Sequence, residues 1–280
     1  MILVTGASGN VGSELVPRLL AAGQSVRVLV RDPIRVAHLS SEVERVIGDL
    51  DKAETLTDAC DGVRAIYLIS QAGQVGTVIE AAQHAGVKLI VRQSTLEAGF
   101  NPPLGPGRWH REAELTIEHS GLPYTHLRPT MMMVNTLSWW APNIRTKRVV
   151  FFPGGEGRLS PVDSRDIAAV AAAVLTQPGH EGRAYEVTGP QLLSFGDMVA
   201  IIAHTIGKDL RYIDVEESAA GEQMVKFGMQ PDLVAGLLET MAGVRADKFA
   251  YVVPLLTGVA ARTWDDWCLE HKAAFMPVTA

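Results

Sequence analysis

The sequence predicts an α/β fold: a doubly wound parallel sheet of the Rossmann type with a smaller C-terminal substrate lobe. Three observations predict it. Apolar strand-like runs alternate with helix-like stretches through the first half of the chain. Those runs lack a polar alternation, as strands covered on both faces do. A glycine-rich turn, GASGNVG at 6–12, stands between the first run and the first helical stretch.

In chain order, strands are expected over 2–5, 26–30, 65–70, 88–93 and 124–128. Helices are expected between them over 13–22, 53–59, 75–84 and 113–119. Regular exchange of the two, with right-handed crossovers, builds a parallel sheet between helical layers. The pattern loosens after Arg128, where Met131, Met132, Met133, Trp139, Trp140, Phe151 and Phe152 sit among prolines and glycines. A helix beginning at Asp166, a strand over 184–188 and helices over 195–206 and 232–242 follow. The division read from this is a dinucleotide-binding core over 1–130 and a mixed segment over 131–280. That segment completes the core and forms the smaller lobe, without a clean boundary between the two.

The composition narrows the function classes. Of 280 residues, 47% are hydrophobic and 20% charged, enough apolar side chain for a sizeable core. The net charge of -6 argues against nucleic acid or an anionic membrane surface as partner. The longest apolar run, 167–175, falls well short of the roughly 20 residues that span a bilayer. Two cysteines far apart, Cys60 and Cys268, read as free thiols in a reducing compartment. The opening lacks a basic stretch followed by an apolar one, so the expected location is the cytoplasm. A monomer or homodimer acting on a small molecule is the expected state.

The spacing of Gly6, Gly9 and Gly12 is GxxGxxG. Glycine lets a chain turn sharply and lets its backbone approach a phosphate with no Cβ in the way. The helix start that follows offers unpaired N–H donors and a positive dipole end, a natural seat for a pyrophosphate. Strand, turn, helix and second strand all fall within about 30 residues, as a βαβ unit requires. Arg31 then ends the second strand, where many NAD-binding folds place an acid for the ribose hydroxyls. A guanidinium there suits a 2′-phosphate through a bidentate, charge-assisted pair, and Arg35 adds a second positive charge. The expected cofactor is therefore NADP(H). The competing reading leaves Arg31 solvated and gives the ribose of NAD to Asp32.

The motif TGASGNVG with LVRDP, and GDL at 48–50, resembles the atypical short-chain dehydrogenase/reductases. The closer likeness is to the NmrA-like branch, which includes triphenylmethane reductases and type-2 NADPH quinone reductases. SGLPYTHLRPT at 120–130, SPVDSRDIAAVAAAVL at 160–175 and GHEGRAYEVTGP at 179–190 extend the resemblance in order to about residue 215. It implies that Gly6, Ser8, Gly9, Asn10, Val11 and Gly12 line the phosphates and Arg31 the 2′-phosphate. It further implies Asp49 and Leu50 beside the adenine, Ile69 and Ser70 along the nicotinamide ribose, and Gln93 and Ser94 facing the nicotinamide. The last 65 or so residues match only loosely.

Most short-chain dehydrogenases protonate a carbonyl with a Tyr-x-x-x-Lys pair. Here the corresponding stretch is PGRWHREAE, which places Pro106 at the tyrosine and His110 at the lysine. A quinone or a cationic acceptor needs less help than a ketone, because its reduced form is a weaker base or is neutral. His110, with an ordinary pKa near neutrality, is the candidate proton donor or orienting group, set against a surface histidine with no role. Trp109, Met131, Met132 and Trp139, with Met133 and Trp140, are candidates for an apolar lid over the nicotinamide, and Asn135 for a polar contact in the same loop. No metal is expected, since His110, His119 and His126 form no HExxH or other familiar ligand spacing. GASG is not the GxSxG nucleophile elbow, which argues against hydrolysis.

The sequence thus predicts an NADPH-dependent reductase passing hydride to a small conjugated apolar acceptor such as a quinone. Two alternatives stand beside it: a non-catalytic NADP(H)-sensing regulator, and a biosynthetic ketoreductase or isomerase with a displaced acid.

Overall fold

A computed structural model describes residues 1–155, 157–226, 228, 230–243 and 251–276. The first half runs β1 (Ile2–Thr5), α1 (Gly12–Ala21), β2 (Val26–Val30), β3 (Glu44–Ile47), α2 (Ala53–Cys60), β4 (Ala65–Leu68) and α3 (Val75–His84). It ends with β5 (Leu89–Gln93), α4 (Gly107–His119) and β6 (Tyr124–Pro129). Next come α5 (Asn135–Trp139), α6 (Ala141–Lys147), β7 (Val149–Phe151), β8 (Arg158–Leu159), α7 (Ser164–Thr176), β9 (Arg183–Val187) and β10 (Leu193–Ser194). The chain closes with α8 (Phe195–Ile206), β11 (Arg211–Ile213), α9 (Glu217–Lys226), α10 (Pro231–Gly243), α11 (Val252–Thr257), α12 (Trp264–Glu270) and α13 (Lys272–Phe275).

Seven parallel strands form one sheet in the order β3-β2-β1-β4-β5-β6-β9. The direction of winding reverses between β1 and β4, and a crevice for ligand opens there at the strands' carboxyl ends. Successive residues of a strand point to opposite faces. Ile2 and Val4 therefore join the core under α1 and α7, while Leu3 joins the core under α2, α3 and α4. On α1, Leu15 and Leu19 lie one turn apart and are both fully buried, each stabilising the fold by about 2 kcal/mol. Thr5 ties the switch point together: its hydroxyl donates to the Tyr67 carbonyl at 3.1 Å and accepts from the Ile69 N–H at 2.8 Å.

A third core cluster belongs to the smaller lobe. Trp140, Phe152, Phe195, Met198, Trp264, Trp267 and Phe275 meet there. Trp264 and Trp267, both on α12, stack at 4.9 Å inside it. Ser194 caps α8 by accepting from the Asp197 N–H at 3.0 Å, and Gly207 ends that helix in the left-handed region. Cys60 and Cys268 are both free and buried.

The expected elements need several corrections. Strand β3 is additional: ERVI at the sheet edge is half-exposed and polar, so it lacks the apolar run that marks a covered strand. Helix α4 begins at Gly107, six residues before the expected start, because its first turns are mostly polar and exposed and so lack an apolar stripe. Helix α7 begins at Ser164, where the Asp163 carboxylate caps it by accepting from the Arg165 N–H at 2.9 Å. Among the described residues no helix is long and apolar enough to cross a membrane.

Candidate active site

The glycine turn closes on itself. Gly6 has φ +65° and its carbonyl accepts from the Gly9 N–H at 2.9 Å. A Cβ on Gly12 would sit 2.2 Å from the Gly6 oxygen and 2.8 Å from the Ala7 Cα. Only glycine allows α1 to start this close to β1. The N–H groups of Asn10, Val11 and Gly12 have no acceptor among the described residues. They are therefore available to an anion at the helix start. Gly12→Ala forces the helix start outward; the expected cost of about 2 kcal/mol lowers the melting temperature by about 5 °C in a thermal scan and weakens dinucleotide binding.

A groove of about 470 Å³ runs from this turn across the carboxyl ends of β1, β2, β4 and β5. Gly6, Ser8, Arg31, Asp49, Leu50, Ile69, Ser70 and Gln93 line it, as do Asp32 and Arg35. Gly9 and Asn10 are exposed and lie outside this lining. The Val11 side chain is 2% exposed in the core, so it is the backbone N–H of this residue that faces a phosphate. Among the described residues neither Arg31 nor Arg35 has an ion-pair partner, whereas Asp32 spends its carboxylate capping the next turn by accepting from the Ile34 N–H at 3.0 Å. The Ser70 hydroxyl is buried with no hydrogen-bond partner among the described residues, and Ser70 lines the groove. The free N–H groups, the glycine cradle and the two unpaired guanidinium groups fit a phosphorylated dinucleotide.

A second cavity of about 300 Å³ adjoins the first. Ser94, Met131, Met132, Asn135 and Trp139 line it, with Pro106, Phe152, Leu159 and Phe195. Among the described residues, Glu97 is the only Asp, Glu, Lys or Arg in this lining, and no tyrosine lines either cavity. Trp109 is half-exposed on α4 and lines neither cavity; Met133 and Trp140 are fully buried in the lobe's core. Those three placements correct the expected lid. Ser94, expected beside the nicotinamide, lines the second cavity and not the groove.

Gln93 and His110 are the two residues that both cavities share. Tyr67, fully buried on β4, donates its hydroxyl to Gln93 Oε1. Arg92, 1% exposed on β5, donates to His110 Nδ1 at 3.1 Å and to the Gln93 carbonyl at 2.9 Å. Burial, then the Arg92 charge, hold the His110 pKa down at about 4. The expectation of an imidazole titrating near neutrality is thereby corrected, and His110 is neutral at pH 7. Sequence reasoning missed Tyr67 and Arg92. The available signal was a polar residue inside an apolar strand, since a buried arginine is rare unless it is paired.

Behind His110, Glu114 is fully buried between two arginines. Arg128 donates to it at 3.0 and 2.7 Å, and Arg111 at 2.9 Å while also bonding Glu118. Burial alone would raise the Glu114 carboxyl, but the Arg128 hydrogen bonds overcome it and hold its pKa at about 2. Glu114, Glu118 and His126 bring possible metal-ligand atoms within 4.8 Å of one another. The guanidinium groups already occupy the carboxylate oxygens, which makes this a structural ion network.

The chain is similar to known proteins over nearly its whole length. Residues 6–178 match the family described as NAD(P)H-binding. The chain is 37% identical to an NAD(P)H azoreductase of Xenophilus azovorans, over 98% of this chain and 99% of that one. It is 39% identical to a (4-alkanoyl-5-oxo-2,5-dihydrofuran-3-yl)methyl phosphate reductase of Streptomyces griseus, over 99% of this chain and 100% of that one. Among solved structures, an NADPH-dependent quinone oxidoreductase of Escherichia coli, complexed with NADPH, superposes with a TM-score of 0.87 at 28% identity. The match covers 96% of this chain and 99% of the other.

Proposed function

We infer the reaction from the family: the chain belongs to the NAD(P)H-binding, NmrA-like atypical short-chain dehydrogenase/reductases and is an NAD(P)H-dependent oxidoreductase. Within that class, the proposed activity is reduction of a small, neutral or cationic, conjugated apolar acceptor such as a quinone, with NADPH as the preferred donor. The observation that carries this reading is the junction at Gln93 and His110, where the polar groove meets the apolar cavity. A bound reduced dinucleotide supplies hydride. The turn at 6–12 would hold its phosphates and Arg31 its 2′-phosphate, leaving the cavity beyond Gln93 for the acceptor.

The lining favours some acceptors over others. Its aromatic and methionine side chains suit a flat apolar ring. Among the described lining residues Glu97 is the one charged group and none is arginine or lysine, which disfavours a phosphate such as the one the substrate of the Streptomyces griseus relative carries. With no tyrosine among the described lining residues, an unactivated ketone lacks its usual acid.

The test is NADPH consumption against quinones, azo dyes, phosphorylated butenolides and simple ketones. Turnover is expected with quinones and azo dyes, and little with the phosphorylated compounds or the ketones. Tight NADPH binding without turnover of any acceptor supports the sensing regulator instead.

A further inference from the structure

We propose that Tyr67 and Arg92 are positioning residues that fix Gln93 and His110 as a pair of neutral N–H donors, aimed at an oxygen of the acceptor that becomes an oxyanion. The proposal rests on the reductase reading above and names how the acceptor is activated without a tyrosine acid.

The pair is assembled from opposite faces of the sheet. Tyr67 belongs to the core under α1 and α7, and reaches Gln93 on the neighbouring strand. Arg92 follows Ile90, on the face packed by α3 and α4, and there meets His110 on α4. Each contact leaves one choice of donor. The Tyr67 hydroxyl donates to Gln93 Oε1, so the amide's Nε2 is the end left for the junction, and it has no partner among the described residues. A guanidinium has donors only, so His110 Nδ1 must accept from Arg92, and a neutral imidazole then carries its hydrogen on Nε2. No other described residue bonds that side chain.

An acceptor that gains a hydride forms one new bond to hydrogen and shifts a π electron pair onto its carbonyl oxygen. The acceptor is reduced and the dinucleotide oxidised. A proton from solvent water then completes the hydroxyl. Fixed N–H dipoles at that oxygen stabilise the developing charge without reorganising. A cationic acceptor such as a triarylmethane dye develops no such anion, because hydride neutralises it at carbon. The pair therefore accelerates the first kind of acceptor and not the second.

Tyr67→Phe removes one buried hydroxyl and frees the Gln93 amide to rotate. The expected result is a fall in kcat with a naphthoquinone on the order of tenfold, smaller than the loss of a donor outright. The KM for NADPH stays within about twofold, and kcat with a cationic triarylmethane dye falls far less, so the quinone-to-dye ratio drops about tenfold. Equal losses on both acceptors overturn the proposal, since a purely structural role predicts that outcome. No turnover of either acceptor by the parent protein overturns the reductase reading and the pair's role together. Nitrogen NMR of labelled histidine, assigned with His110→Ala, reads the second contact without cofactor or acceptor. At pH 7, His110 is expected as the neutral Nε2–H form; an Nδ1–H form or an imidazolium overturns the arrangement.

Discussion

Arg31→Glu is expected to weaken NADPH binding by about 100-fold, roughly 2.7 kcal/mol, while NADH binding is held or improved. Arg31 follows the last residue of β2 at the groove and has no carboxylate partner among the described residues, so its guanidinium is free for a ligand. A 2′-phosphate beside it gains a bidentate, charge-assisted pair. Glutamate in its place repels that phosphate and instead accepts from the 2′-hydroxyl of the adenine ribose, which only NADH offers. Arg35 stands in the same lining and limits the loss, so adding Arg35→Ala deepens it. Both arginines are exposed, and the NADPH preference of the parent protein should shrink as salt rises. Fluorescence titration with each dinucleotide measures the effect. Unchanged NADPH affinity in Arg31→Glu removes Arg31 from the site and returns the ribose to Asp32.

The second large effect is on stability. Glu114→Gln breaks the buried network on α4 and leaves the Arg128 and Arg111 guanidinium groups without their shared carboxylate. Removing one member of a buried pair costs about 3–5 kcal/mol, or about 10 °C in melting temperature for a chain of this size. The same network makes the fold acid-sensitive in two stages. His126, 1% exposed, has its pKa lowered to about 4 chiefly by burial, with Glu114 and Glu118 raising it and Arg92 and Arg128 lowering it further. His110 is lowered to a similar value. Their unfolded forms titrate near 6.5, so the unfolded chain binds more protons between about 6.5 and 4. Stability therefore falls as pH drops through that window, by up to about 1 kcal/mol per unit for each histidine. Glu114 works from the opposite charge type in the same direction. Its stabilisation is present above its unfolded pKa of 4.5 and is lost as pH falls toward 2. Melting temperature against pH reads both stages. Replacing His126 with leucine should flatten the first, and an unchanged profile would show that burial of this histidine carries no such cost.

Much of this molecule is legible in its sequence where backbone geometry dictates residue type. GASGNVG could be read as a phosphate turn because Gly12 has no room for a Cβ, a constraint visible in one dimension. The central strands are legible because burial on both faces writes them as continuous apolar runs. Strand β3 is not, because an edge strand tolerates the charges of ERVI. Met131 and Met133 look alike in sequence, yet one lines the cavity and the other is sealed in the lobe's core. Their difference lies in which way the chain turns after β6. Tyr67 and Arg92 are hidden for a related reason: each acts on a partner brought near by strand pairing or by α4, and no local pattern records that.

In the proposed reaction one site joins NADPH to an apolar acceptor across Gln93 and His110. Its most direct measurement is single-turnover oxidation of NADPH after mixing the NADPH-loaded protein with a naphthoquinone. NADPH absorbance should decay in a single phase, slow when the transferred hydrogen is deuterium, and slow further in Tyr67→Phe. Absorbance that stays constant while NADPH remains tightly bound would rule out hydride transfer and identify a protein that binds the dinucleotide without using it.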